Sequence, residues 1–197
     1  MRLKDITAVH DDDGLKGTSR MWRASMLITL LGLISYVIGF STQHWCSMDH
    51  ELSEHMAGVE VNAHFGLWTQ CITLTVLFNG KVIKDDCENL KNDKAWKPAS
   101  KSLCSIGLIL STLGLVFSFL AGCRQNMLLM TFGGGLLMAG AMISAIGSGL
   151  FVGKAKHEDD RLEPGYSVYF ALTGSGLLVV GGGMQLLSIR HEYSSIA

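Results

Sequence analysis

The chain has 197 residues, 48% of them apolar, with a mean hydropathy of +0.31. Lys and Arg number 16 against 17 Asp and Glu, a net charge of -1. The two signs are mixed along the polar segments, so no single-sign field exists to attract nucleic acid, and a nucleic-acid partner is excluded.

Residues 1–23 read as a polar arm. Arg2, Lys4, Lys16, Arg20 and Arg23 stand against Asp5, Asp11, Asp12 and Asp13, and the basic end adjoins the first apolar run. Basic residues flanking a span favour the cytoplasmic side, so the arm is expected in the cytoplasm. A polar arm of 23 residues precedes the run and no small-x-small cleavage pattern follows it, so the run is expected to persist as a helix rather than be removed as a signal peptide.

Four apolar runs follow, at 24–41, 103–123, 127–152 and 168–189. Each lies at or near the ~20 residues that ~30 Å of hydrocarbon requires. None holds an internal Asp, Glu, Lys, His or Arg. A charge at the centre of a span costs about 2.5 to 3.5 kcal/mol on an insertion scale, so this repeated absence predicts four transmembrane helices. An even number of spans returns the carboxyl terminus (190–197) to the cytoplasm. Segments 42–102 and 153–167 are then extracellular, and 124–126 forms a cytoplasmic turn. Arg124 and Arg190 agree with this orientation, whereas Lys154 and Lys156 oppose it.

In the first extracellular segment, Thr69 to Phe78 is dense in β-branched residues, and Asn79-Gly80 supplies a hairpin turn. A three-residue loop at Phe78, Asn79 and Gly80 sets Leu77 across from Lys81, and the same register sets Cys71 across from Cys87. Opposed strand positions bring Cβ atoms near disulfide distance, so these two cysteines are the candidate staple, with two free buried thiols as the alternative. Cys46 and Cys104 are placed to form a second bridge or to remain separate thiols. Cys123, beside Arg124, is a candidate for palmitoylation or a plain interfacial thiol. His44, His50, His55 and His64 lack the spacing of a structural zinc site and are expected at the ectodomain surface. No cofactor, metal or catalytic constellation is expected.

The third and fourth runs are rich in glycine. Gly135 with Ala139, Gly149 with Gly153, and Ala171 with Ser175 each form a small-xxx-small step. Two uses are open: close packing inside the bundle, or a face that receives a neighbouring subunit's helix. Ser35, Ser144 and Ser148 are expected to satisfy their hydroxyls on helix carbonyls.

Trp45, then Gly66-Leu67-Trp68-Thr69-Gln70-Cys71, then Cys87, followed by Ala95-Trp96 before the second span, resembles the claudin superfamily. That superfamily embraces claudins, the epithelial and peripheral-myelin membrane proteins and the γ subunits of voltage-gated calcium channels. The resemblance extends over the four-span layout. It implies a left-handed four-helix bundle with a small extracellular antiparallel sheet, a Cys71–Cys87 disulfide, and a Gly-Leu-Trp segment that packs the sheet onto the helices. Trp22 and Trp96 are read as bilayer-interface anchors. Ala63 to Trp68 looks most like the calcium-channel γ motif, while Ala95-Trp96 is similar to the epithelial and myelin proteins. The chain ends Ser194-Ser195-Ile196-Ala197, unlike the terminal Tyr-Val with which claudins bind scaffolds, and it has no Asn-x-Ser/Thr sequon. The implied function is non-enzymatic, at the plasma membrane. One form of it is an auxiliary subunit bound to an integral membrane channel or receptor. The other is a junctional or adhesive protein that assembles with like tetraspan proteins in cis and trans. Membrane lipid surrounds the bundle in both.

Overall fold

A computed structural model describes residues 20–51, 59–76, 81–89, 94–124, 126–158 and 160–194. Four helices dominate: α1 (Arg20–Ser41), α2 (Trp96–Arg124), α3 (Met127–Glu158) and α4 (Tyr166–Ser194). All four contain stretches long and apolar enough to cross a membrane. They outrun the apolar runs at several ends. α2 starts at Trp96, seven residues before Leu103, because Pro98 falls in its first turn, where a missing N–H breaks no helical bond. α3 continues past Val152 to Glu158, which anchors its end as described below. Between α2 and α3, the Asn126 Oδ1 accepts from the Leu128 N–H at 3.0 Å and caps α3.

Strands β1 (Cys46–Glu51), β2 (Val59–Phe65), β3 (Thr69–Val76), β4 (Lys81–Asn89) and β5 (Glu163–Pro164) form one antiparallel sheet in the order β4-β3-β2-β1-β5. β5 was not foreseen. It is two residues long and contains a proline, so periodicity cannot reveal it, and it pairs with Cys46 and Ser47 at the sheet edge. Cys71 lies opposite Cys87, and the expected register runs from Thr69↔Asn89 to Leu74↔Lys84. Beyond Leu74 it does not. A bulge leaves Ile83 unpaired, so Val76 rather than Leu77 faces Lys81. The loop residues Phe78, Asn79 and Gly80 lie outside the described residues.

The helices pack through small residues. The buried stripe of α2 includes Cys104, Gly107, Ser111, Gly114 and Ser118, at alternating steps of three and four. That of α3 runs through Gly133, Leu137, Gly140, Ser144, Gly147 and Phe151 at the same steps. A 3.5-residue repeat is the signature of a left-handed supercoil. A Cβ on Gly107 would lie 2.8 Å from the Gly140 carbonyl oxygen, and one on Gly114 2.8 Å from the Leu137 nitrogen. With no hydrophobic drive between helices in lipid, this close approach is what dispersion and short polar bonds need. α1 and α4 meet similarly, through Gly32, Gly39 and Gly174. The seam between α1 and α2 is much shorter.

Hydroxyls and one amide supplement the packing. The Ser144 Oγ donates to the Gly140 carbonyl in its own helix. Ser35 donates instead to Phe170 of α4, Ser100 to Gly147 of α3, and the Tyr36 hydroxyl to the Cys104 carbonyl. Gln185, fully buried in α4, places its Oε1 2.7 Å from the Ser118 Oγ and its Nε2 3.5 Å from the Met26 sulfur. It thereby ties α4 to both α2 and α1.

Candidate functional site

Two surfaces are built from the residues singled out by the sequence: a crown where the sheet meets the bundle, and the outward side of α3. At the crown, the linker leaving α1 at Thr42 must pass directly beneath the sheet. Gly66 and Gly165 make that path available. A Cβ on Gly66 would lie 2.8 Å from the Gln43 Cα, and one on Gly165 would collide with the His44 carbonyl. Backbone bonds then hold the crossing: the Trp45 N–H donates to the Phe65 carbonyl at 2.9 Å, and the Gly165 N–H to the Trp45 carbonyl at 2.9 Å.

Trp45 is fully buried. Its indole N–H donates to the Gly39 carbonyl at 2.9 Å, satisfying an acceptor in the last turn of α1, and its ring meets Phe151 edge-on. Leu67 is also fully buried, among Tyr36, Trp45, Cys104 and Phe151. Trp68 meets α1 at the edge of this core. It is 42% exposed, edge-on to Phe40 of α1, with the Lys101 ammonium 5.9 Å from its ring. In the Gly-Leu-Trp segment it is therefore Leu67 that plugs the top of the bundle, while Trp68 lies at the rim.

The disulfide joins Cys71 and Cys87, with Cα atoms 4.1 Å apart. Cys46 and Cys104 are not bonded to each other, which corrects the second bridge considered above. Both belong to the crown's apolar core, but the Cys104 sulfur faces α3, 3.9 Å from the Ser148 Oγ and against Gly147. Burial pushes the Cys46 thiol up to about 11, a value that disfavours the reactive thiolate. Cys123 is an exposed thiol at the far end of α2.

Two further expectations are corrected. Trp22 is packed within the protein rather than projecting as an interface anchor, and Trp96 is half-buried at the start of α2. Trp22 is buried against Gly122, where any Cβ would strike the indole. Trp96 donates to the Glu158 Oε1 at 2.7 Å, and Lys94 pairs with the same carboxylate at 2.8 Å, clamping the start of α2 to the end of α3. His44 and His64 are half-buried, with ring centroids 4.4 Å apart. Tyr166 stacks on His44, its hydroxyl 3.0 Å from the His44 Nδ1. Desolvation first, and the adjacent His64 second, hold the His44 imidazole below its usual value. The His50 side chain and His55 lie outside the described residues. Among the described residues, no three of His, Cys, Asp and Glu converge to hold a metal.

On α3, Gly135, Ala139, Gly149 and Gly153 are exposed, and a Cβ on any of the three glycines would meet nothing within 4 Å. Internal packing is therefore not their use, whereas Ala171 and Ser175 of α4 are buried, Ala171 against Gly39 of α1. With Met142 and Ile146, also exposed, the α3 residues trace an outward seam at steps of four and three. Sequence reasoning could separate this seam from the inward one only by noting that Gly133, Gly140 and Gly147 share a second, offset register.

No curated protein matches the chain. The family described as PMP-22/EMP/MP20/Claudin tight junction matches residues 30–188, which takes in α1 from Leu30, the whole crown and α4 as far as Ser188. The buried Trp45, the Leu67 plug and the Cys71–Cys87 staple above a bundle of four apolar helices all fall within that match, and the chain belongs to the PMP-22/EMP/MP20/claudin family.

Proposed function

We propose that this tetraspan membrane protein is a non-enzymatic auxiliary subunit that binds laterally to an integral membrane channel or receptor and shifts the balance among its states. The observation that carries the reading is the outward seam of α3, where Gly135, Ala139, Gly149 and Gly153 leave the backbone open to a close-approaching helix. A modulator of this kind needs a second contact that distinguishes the partner's states, and the rim of the crown, with exposed Trp68 and Ile72, supplies one. Both termini are placed in the cytoplasm and the sheet outside the cell, at the plasma membrane. The disulfide supports that placement, since such bonds persist on the oxidising side.

A junctional role is the second reading. It is favoured by the family's own description and by the same exposed apolar residues on the sheet, which suit contact with a facing copy. Purification from single cells in mild detergent separates the two. The auxiliary reading expects a pore-forming subunit to co-purify, with Gly135→Leu or Gly149→Leu abolishing association while the protein still reaches the surface. Continuous intramembrane strands at contacts between expressing cells, with no channel partner, would overturn it.

A further inference from the structure

His44 lies on the linker that leaves α1, and His64 belongs to β2. Their rings meet with centroids 4.4 Å apart, tilted by 39°. Tyr166, the first residue of α4, stacks on His44 and sets its hydroxyl 3.0 Å from the Nδ1. The backbone of His44 is fixed: its N–H donates to the Ser167 Oγ at 3.1 Å, and its carbonyl accepts from the Ser167 N–H at 3.2 Å. Its ring is the part with freedom to turn. The three rings thus join β2 and the linker to the corner at which β5 runs into α4. That corner has few other ties. β5 is two residues long and pairs with Cys46 and Ser47, and backbone bonds at Gly165 and Ser167 complete its hold.

Two imidazoles in contact are compatible while at most one is charged; a proton on each sets like charges side by side. The groups facing the pair leave that conflict in place. On β3, Cys71 stands opposite His64, but it is held in the disulfide and does not titrate. On β1, Ser47 is opposite His64, with Glu163 of β5 opposite Ser47, one strand further away; Asp49 of β1 is opposite Asn62, two residues along β2. α4 contributes the Tyr166 hydroxyl. Among the described residues, no carboxylate pairs with either ring. The His64 Nδ1 is buried, and no described residue accepts the N–H that a charged ring carries there.

We propose that His44 and His64 form a proton-operated latch on the β5–α4 corner: uncharged, the pair holds Tyr166 and β5 against the sheet, and once acid charges both rings they part and the corner lifts from β1. His44 then turns towards Tyr166, whose half-exposed ring has room to leave. The latch goes beyond the auxiliary reading and does not rest on it. In the orientation given above, the crown meets the fluid outside the cell and, after internalisation, the acid interior of the endosome, the range in which imidazoles change charge.

Hydrogen–deuterium exchange of the full-length protein in detergent, at about pH 7.5 and about pH 5, tests the latch, with labelling times scaled to the intrinsic exchange rate. Relative to α2, segment 163–168 should exchange faster in acid by up to about thirty-fold, a factor of ten for each pH unit below 6.5 through which the closed latch keeps His44 uncharged. An acceleration below about two-fold overturns the proposal. His44→Gln should abolish the acceleration. His64→Gln should cut it by about three-fold or more, part surviving because His44 remains desolvated. Glu163→Gln should keep it. An undiminished response in His64→Gln would mean that no pair is involved, and a response lost in Glu163→Gln but kept in His44→Gln would assign it to a carboxylate; either overturns the latch. So does equal acceleration of α2 and segment 163–168, the mark of global unfolding. Should the histidine variants fail to fold, the wild-type pH profile decides: a midpoint above about pH 5 supports the latch, and one below it, towards the carboxylate range, refutes it.

Discussion

At Gly66 and Gly165 a single hydrogen is all the fold can accommodate, because the linker at residues 43–44 occupies the place of any Cβ. Gly66→Ala should therefore destabilise the crown by about 1 to 3 kcal/mol, the usual penalty of overpacking. Gly149→Ala should be neutral or stabilising, since its Cβ meets open space and alanine is the better helix former. Thermal unfolding in one detergent, run on both variants, checks the contrast. The His44 stack adds a pH dependence. With its imidazole held below the usual 6.5, the folded protein takes up the proton less readily than the unfolded chain. The stability contributed by the neutral imidazole is complete above pH 6.5 and is lost as pH falls through 6.5 towards the folded value. The melting temperature should fall between about pH 7.5 and pH 5, and His44→Gln should flatten that slope.

At the scale of elements, α3 has two small-residue seams with opposite uses. Gly140→Leu drives a side chain into the Gly107 carbonyl and Ser111 and should prevent assembly of α2 on α3. Gly135→Leu should leave folding intact. Recovery of monodisperse protein after mild solubilisation distinguishes them, and equal losses would mean that the outward seam is also structural. Gln185→Leu removes the amide bridging α1, α2 and α4 and should cost about 0.6 to 1.7 kcal/mol, the range of polar contacts between membrane helices. In the sheet, the staple joins residues 16 apart in sequence on neighbouring strands. Cys71→Ala should destabilise the ectodomain by about 2 to 5 kcal/mol and reduce delivery to the surface, as measured by surface biotinylation.

For the whole molecule, stability has two sources joined at the crown. The bundle is held by close backbone approach in lipid, the sheet by its ladder and disulfide, and Trp45 and Leu67 connect them by entering one apolar core with Tyr36 and Phe151. Topology is tested at this scale. Epitope tags at either terminus should be shielded in intact cells, and tags at positions 51 and 91 should be reachable. Opposite exposure of the two termini would mean that an odd number of helices crosses the bilayer.

Sequence alone determined the class of this protein, because the cost of burying a charge in hydrocarbon leaves an unmistakable record in four uncharged runs. It also determined the opposition of Cys71 and Cys87, since strand pairing is local and its register follows from a short turn. The bulge at Ile83 escaped because nothing in the local pattern marks one extra residue. The inward and outward seams of α3 were beyond composition as well: glycine looks the same on either face, and only a neighbouring helix decides which face is covered. Tertiary structure alone separated Cys46 from Cys104, buried Trp22, and stacked Tyr166 on His44. Each depends on residues distant in sequence, whose meeting is set by the packing of the bundle beneath the sheet.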